Sequence, residues 1–294
     1  MPGSATRRLL DPMFSPRPAA VASRGLLVGL GLGLLLTFTG IRLSPAEVSG
    51  NLIIAGNGPE QSIIELLVRA FEKANPRAYV DIVWDDHSKA VEMVRTGEAH
   101  LAVTGAEDGA LAATQIAWDG IGILVHLSNF TKEITKQQVA DIFSGKVKEW
   151  SELGGPETKI LLINRPRNQN VRDAFESQLG ITGKIPDTAK VIARDDKVVK
   201  TVVGTLPPLS AVAYISLSQG LSVVSGGVAV RLLPIDNVEP EIPTVKDGRY
   251  PLRRPVLLLS RKEPNPLVEA FIQFALSPPG QQIVTEAYVP VIRN

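Results

Sequence analysis

The sequence predicts an α/β fold, because short apolar segments typical of β-strands alternate with segments of helical periodicity from residue 50 onward. Of the 294 residues, 44% are hydrophobic and 21% are charged, which indicates a packed core rather than a disordered chain. The alternation favours a largely parallel sheet. The length of the part beyond residue 46 favours two α/β lobes over a single domain.

Eight segments have the composition of strands: 51–55, 80–84, 101–104, 120–126, 159–163, 211–217, 228–235 and 255–259. Helical periodicity predicts helices over about 60–75, 88–96, 136–143, 170–179, 195–203 and 267–274. Two helix starts carry capping residues, since Thr135 and Gln138 have the spacing of a capping box and Asn170 is a candidate N-cap.

The N-terminal segment has the pattern of an export signal. Five arginines and one aspartate lie within residues 1–42, around an uncharged run of Leu and Gly at 25–41. Ser44 and Ala46 are small residues suited to cleavage after Ala46. We therefore predict that residues 1–46 are either a signal peptide or a membrane anchor formed by a hydrophobic helix at 25–41, and that the chain is exported to the periplasm or the extracytoplasmic face of the cell membrane.

Composition argues against several function classes. The chain has no cysteine, which excludes disulfides, thiolate metal sites and a lipid-modified cysteine. A net charge of +1 gives no support for binding to nucleic acid. The three histidines do not have the spacing of metal ligands, and no GxSxG nucleophile motif is present. We expect no catalytic residues, no cofactor and no metal, and a protein that is not an enzyme.

Candidate ligand-binding residues lie in four strand-to-helix turns, where free backbone N–H groups favour anions. They are Gly56, Asn57 and Gly58 in the first turn, Ser88 in the second, Thr104 and Gly105 in the third, and Arg165, Gln169 and Asn170 in the fourth. The glycines allow the backbone to approach a ligand closely, and arginine donors suit phosphate, sulfate or carboxylate. The structural alternatives are an ordinary turn before Pro59, a helix cap at Ser88 and a surface arginine.

A longer stretch resembles a known family. Residues 119–155, DGIGILVHLSNFTKEITKQQVADIFSGKVKEWSELGG, are similar to the phosphate-binding proteins of bacterial ABC transporters, in which an Asp-Gly pair opens a hinge strand and an IFSGK segment follows. Further matches occur in the family's order at Arg165, at 172–175 (RDAF), 211–217 (AVAYISL), 250–255 (YPLRRP) and 277–281 (SPPGQ). The similarity extends over essentially all of residues 51–294.

The resemblance implies a two-lobed type II periplasmic binding protein with a two-strand hinge and a ligand in the cleft between its lobes. One lobe comprises residues 50–127 plus 229–294, and the other comprises residues 128–228. The family holds phosphate with backbone N–H groups, hydroxyls, one arginine and one aspartate. Arg165 matches that arginine, Gly105 aligns with the aspartate, and residues 169–171 (QNV) align with a Ser-Gly-Thr sequence. Amides therefore replace hydroxyl donors, and the expected ligand is phosphate or another oxyanion.

The resemblance also implies partners. The protein captures its oxyanion for an ABC permease, and residues 25–41 hold it in the membrane if they are not removed. The alternative is a domain of the same fold without a transport ligand, which acts as a membrane-tethered interaction or sensory protein and docks to another membrane protein.

Overall fold

The computed structural model describes residues 48–84, 89–167 and 169–291. The predicted signal or anchor segment at 1–46 lies outside these residues, as does Ser88. The described residues belong to one compact unit, residues 44–294. Within them, no helix combines the length and the hydropathy required to cross a bilayer.

The described residues form ten strands and nine α-helices. The strands are β1 (Gly50–Gly56), β2 (Ala78–Trp84), β3 (Leu101–Thr104), β4 (Ala112–His126), β5 (Leu161–Asn164), β6 (Lys190–Val191), β7 (Ala211–Ser216), β8 (Val230–Leu233), β9 (Arg253–Ser260) and β10 (Val289–Pro290). The helices are α1 (Gln61–Ala74), α2 (Ala90–Thr96), α3 (Lys136–Phe143), α4 (Asn170–Leu179), α5 (Asp195–Gly204), α6 (Leu217–Ser225), α7 (Ile242–Lys246), α8 (Pro266–Leu276) and α9 (Pro278–Val284).

The long strand β4 takes part in two groups of strands. Its first part, residues 112–120, pairs with β9, and Ala117 and Trp118 also pair with β10. Its second part pairs with β7 over 121–125 and with β8 over 123–126. Moving outward from β4, the strands on one side are β9, β3, β1 and β2, and those on the other side are β7, β5 and β6. One strand therefore connects both groups.

The prediction of a largely parallel sheet is wrong. The pairs β1–β2, β1–β3, β5–β6 and β5–β7 are parallel, but every pair made by β4 is antiparallel, as is β3–β9. The reason is that the strand-helix pattern reports burial along the chain, whereas the direction of a pair depends on which distant strand becomes the neighbour. In the antiparallel pair of β4 and β9, for example, the first residue of β4, Ala112, lies opposite the last residue of β9, Ser260.

Helix starts agree with the sequence at one predicted cap and differ at the other. Both hydrogen bonds of the Thr135–Gln138 capping box are present at the start of α3. At α4 the N-cap is Gln169, without a side-chain capping bond, and the predicted cap Asn170 is the first helical residue. The side-chain oxygen of Asn170 accepts a hydrogen bond from Arg254 instead, so it does not cap the N–H groups of its own helix.

Separate apolar cores cover the two groups of strands. One is formed by β1, α1 and α8 and includes an edge-to-face contact of Phe71 and Phe271, with ring centroids 5.3 Å apart. Another contains Phe143, Phe175 and Tyr214, and the last two rings are stacked at 3.9 Å. The second core supports the end of β5, next to Arg165, through Tyr214.

Candidate functional site

A cleft with a volume of about 490 Å³ lies where elements of the two strand groups face each other. Its walls come from the carboxyl ends of β1, β2, β5 and β7 and from the first turns of α1, α4, α5 and α6. The N-terminal turns of helices have backbone N–H groups without intrahelical partners and a partial positive charge. The cleft therefore has the backbone arrangement that favours an anion.

Neutral polar side chains complete much of the lining. They include the amides of Asn57, Gln61, Gln169 and Gln219 and the hydroxyls of Ser62 and Ser216. Amides and hydroxyls can donate hydrogen bonds to oxygen atoms without adding charge. The lining also holds two oppositely charged pairs, Arg165 with Asp195 and Arg194 with Asp196.

Arg165 lies in the wall of this cleft, at the end of β5. Its side chain is 2% exposed, and its Nη2 forms an ion pair with Asp195 at the start of α5. Nη1 donates to the carbonyl oxygen of Ala193 at 2.7 Å, and the buried Nε has no hydrogen-bond partner. An incoming anion would therefore share the Arg165 guanidinium with Asp195.

A buried hydrogen-bond network holds the Arg165 backbone in position. The Asn164 side-chain oxygen accepts from the Arg165 N–H at 2.8 Å and from the Tyr214 hydroxyl at 2.6 Å. Arg172 Nη1 donates to the Arg165 carbonyl oxygen at 2.8 Å. Burial raises the pKa of Tyr214 well above its ordinary value, so the hydroxyl keeps its proton and remains a donor.

The first predicted loop shapes one end of the cleft around Trp84. A Cβ at Gly56 would come within 2.3 Å of the Trp84 ring, so only glycine allows the indole to cross the backbone here. The Trp84 indole N–H donates to the carbonyl oxygen of Gly58 at 3.0 Å, and Asn57 and Gly58 line the cleft beside it.

A polar cluster, formed by the charged side chains of Arg254, Glu60 and Asp119 and the amide of Asn170, is buried next to this loop. Arg254 Nη2 donates to Asp119 Oδ2 at 2.9 Å and also pairs with Glu60, while Nη1 donates to Asn170 Oδ1 at 3.0 Å. The three charged side chains are 0–2% exposed. Asp119 and Arg254 are directly opposite each other in the β4–β9 ladder.

Burial dominates the titration of Asp119 in this cluster. It raises the pKa of Asp119 to about 6, and the opposing charge of Arg254 only partly offsets that rise. For Arg254, burial alone would lower the pKa, but the charges of Glu60 and Asp119 hold it above its ordinary value. The cluster brings two acidic groups to one guanidinium.

The structure separates the predicted site residues into groups. Asn57, Gly58, Arg165 and Gln169 line the cleft, and Gly56 lies beneath Trp84. Asn170 belongs to the buried cluster, and a Cβ at Gly105 would lie 3.3 Å from Arg254 Nη1. Thr104 is buried at the end of β3, where its hydroxyl oxygen accepts from the Ala106 N–H at 3.3 Å. Ser88 is outside the described residues.

Sequence reasoning missed Glu60, Asp119 and Arg254 as site residues. A signal existed for two of them, because Asp119 and Arg254 are charged residues within apolar strand sequences, where burial requires a partner. Glu60 has no such signal, since a glutamate before a helix is ordinarily exposed. Among the residues described, no group of three or more histidine and acidic side chains is arranged to hold a metal ion.

Comparison with known proteins identifies the family to which this chain belongs. Residues 44–279 match the model of the PBP superfamily domain. The phosphate-binding protein PstS of Bacillus subtilis (strain 168) is 28% identical over 256 residues, which cover 83% of this chain and 82% of that protein. The phosphate-binding protein PstS 2 of Streptococcus agalactiae serotype V is 32% identical over 111 residues, covering 36% of this chain and 38% of that protein.

Solved structures agree with the family match. A "putative phosphate ABC transporter substrate-binding protein with bound phosphate" from Clostridium perfringens aligns with a TM-score of 0.73 and 25% identity, over 83% of this chain and 100% of that chain. An ABC-type phosphate transport receptor from Vibrio cholerae has the same fold, with a TM-score of 0.69 and 22% identity over 81% of this chain and 99% of that chain. The chain therefore belongs to the PBP superfamily and is homologous to the PstS phosphate-binding proteins.

Proposed function

We propose that this protein is an exported solute-binding protein that captures phosphate or a related oxyanion for an ABC transporter. The observation that carries the proposal is the convergence of four helix N-termini on one cleft, from both groups of strands, with Arg165 in the wall. The names of its relatives support the same ligand class, since PstS of Bacillus subtilis is a phosphate-binding protein.

The arrangement suits a ligand held mainly by neutral donors. Backbone N–H groups at helix N-termini and side-chain amides stabilise an oxyanion without a full counter-charge. Lobes at 50–127 plus 229–294 and at 128–228 would close over the ligand by bending the chain segments that connect them, at 127–128 and 228–229. Residues 1–46 would direct export and then be removed or remain as an anchor.

Ligand binding can be measured by thermal melting of the purified full chain, in mild detergent, against phosphate, sulfate, a phosphonate and an organic phosphate. Binding to the native state stabilises it by about 2.7 kcal/mol at a hundredfold excess over Kd, so the melting temperature rises with the concentration of the true ligand. Arg165→Ala should reduce this rise, whereas Arg249→Ala, an exposed control paired with Asp247, should leave it unchanged.

No rise in melting temperature with any of the four anions would overturn the proposal. That result would favour a second candidate, a membrane-tethered interaction or sensory protein without a transport ligand. The ion pair between Arg165 and Asp195 favours this candidate, because it already neutralises the arginine. N-terminal sequencing of the protein recovered from cells tests the tether, since cleavage after Ala46 would leave Glu47 as the first residue.

A further inference from the structure

Three of the predicted anion-binding loops meet at the buried cluster rather than at open space. A Cβ at Gly58 would lie 2.1 Å from Glu60 Oε2 and 3.4 Å from Asn170 Oδ1. A Cβ at Gly105 would lie 3.3 Å from Arg254 Nη1 and 3.7 Å from the Asn170 Cβ. The Glu60 carboxylate and the Arg254 guanidinium therefore fill the position that these loops surround.

The cluster is incompletely satisfied. Glu60 Oε2, Asn170 Nδ2 and Arg254 Nε are buried and have no hydrogen-bond partner. Relative exposure is 0% for Glu60, 1% for Arg254 and 8% for Asn170. Buried polar atoms are ordinarily paired, because an unpaired one costs free energy, so three of them at one place call for an explanation. Two of the three are donors without an acceptor.

Glu60 makes an unusual contact for a residue at the start of a helix. It is the N-cap of α1, yet its side chain forms no capping bond, and its carboxylate turns to Arg254, 194 positions away in sequence. The N–H groups of the first turn of α1 are thus not occupied by the N-cap side chain. Gly58 lines the cleft and lies directly beside the Glu60 carboxylate. Only a residue without a side chain therefore stands between that carboxylate and the cleft.

We infer that the Glu60 carboxylate acts as a resident anion, which competes with an incoming oxyanion for Arg254 and Asn170 and thereby determines the specificity of the cleft. The inference rests on the proposed function, since it concerns the same oxyanion site. Glu60 excludes small oxyanions from the innermost position, and a ligand of the intact protein is confined to the outer part of the cleft beside Arg165.

Replacing Glu60 by alanine tests this role directly. Glu60→Ala removes Cγ, Cδ and both carboxylate oxygens, roughly the volume of a tetrahedral oxyanion. Arg254 keeps its bond to Asp119 at 2.9 Å, so one positive and one negative group remain together. The innermost position then has unsatisfied donors from Arg254 and Asn170 and no resident acceptor from Glu60.

Calorimetric titration with inorganic phosphate should compare the full-length wild type with Glu60→Ala, Glu60→Ala/Asn170→Ala and Glu92→Ala. We expect Glu60→Ala to bind phosphate about tenfold or more tightly than the wild type, because a charged donor gains an acceptor. The double variant should lose part of this gain, because Asn170 no longer donates while Arg254 remains. Glu92→Ala, an exposed control on α2 with 55% side-chain exposure, should match the wild type. If Glu60→Ala does not fold, Glu60→Ser replaces it, since the shorter side chain also vacates the position of the carboxylate and the variant should likewise bind phosphate more tightly.

The outcomes separate the two proposals. Tighter binding in the variant supports the role of Glu60 whether or not the wild type binds phosphate, and a wild type that binds no anion overturns only the proposed function. If the wild type binds and the variant binds equally or more weakly, the inference about Glu60 is overturned while the proposed function stands. If folded wild type and variant both fail to bind phosphate, the inference about Glu60 is overturned, and the proposed function is decided by the other three anions in the melting experiment.

Discussion

At the scale of single residues, the buried cluster around Arg254 shows that a fold can place two carboxylates beside one guanidinium in its interior. Arg254 bonds to Asp119 and Asn170 and pairs with Glu60, and no single strand or helix supplies more than one of these groups. Buried ion pairs contribute little net stability, because the cost of desolvation offsets the attraction between the charges. The cluster is therefore better explained by a role at the adjoining cleft than by stability.

The raised pKa of Asp119 predicts a specific pH dependence of stability. Because its pKa is about 6 in the folded protein and 3.8 as the ordinary value, the folded state binds more protons between these pH values. The contribution of Asp119 to the free energy of unfolding therefore falls as pH rises from 4 to 6, by a total on the order of 3 kcal/mol. Urea unfolding of the wild type and of Asp119→Asn at several pH values measures this contribution as the difference between their free energies of unfolding.

We expect Asp119→Asn to gain stability relative to the wild type as the pH increases through this window. The difference in free energy of unfolding between the two proteins should stop changing above this pH window. A difference between the two proteins that does not change from pH 4 to 7 would show that the Asp119 carboxyl is not perturbed. Exposed carboxylates whose pKa values are lowered, such as Asp196 beside Arg194, act in the opposite direction but cancel in the comparison.

At the scale of elements, the junction of α8 and α9 explains a motif found in the sequence. Ser277 ends α8 and is the N-cap of α9, where its hydroxyl oxygen accepts from the Gly280 N–H at 3.4 Å. The Gln281 side chain then donates to the carbonyl oxygens of Ile116 on β4 and Ala275 on α8, at 3.0 and 2.8 Å. The SPPGQ sequence thus joins two helices to the long strand.

Gly280 allows this junction, because a Cβ there would lie 2.1 Å from the backbone oxygen of Phe274. We expect Gly280→Ala to lower the free energy of unfolding by about 1–3 kcal/mol, the usual cost of overpacking. Gly204→Ala is the matched control, since no atom from outside its own helix turn lies within 4 Å of a Cβ at that position. Urea denaturation of both variants measures the contrast. Equal free energies of unfolding for Gly280→Ala and Gly204→Ala would show that α8 and α9 move apart at little cost to accommodate the added methyl group.

At the scale of the whole molecule, β4 connects the two groups of strands. It pairs with β9 and β10 in one part and with β7 and β8 in the other. Apolar residues on the second part, such as Ile121 and Ile123, belong to the core around Tyr214, while Ile116 and Ala117 belong to the core around Phe71. Loss of either core would leave part of β4 without its packing.

We therefore predict that the two groups of strands unfold together. Amide hydrogen exchange in increasing urea should give the same free energy of opening for β3 and β7, whose residues are all buried. The slowest amides of both strands should converge on the global value from circular dichroism. Separate plateaus for the two strands would contradict a shared unfolding unit.

The sequence by itself determined the family and most of the local elements, although β6, β10, α6, α7, α9 and residues 112–119 of β4 were not predicted. Apolar periodicity identified β3 at its observed bounds, the Thr135–Gln138 spacing identified the start of α3, and the IFSGK motif pointed to the homologues. Only the tertiary structure decided that β4 and β9 pair antiparallel and that Glu60 meets Arg254. The physical reason is range: periodicity and capping involve residues within a few positions, whereas strand neighbours and buried ion pairs join segments that the chain brings together only when its cores form.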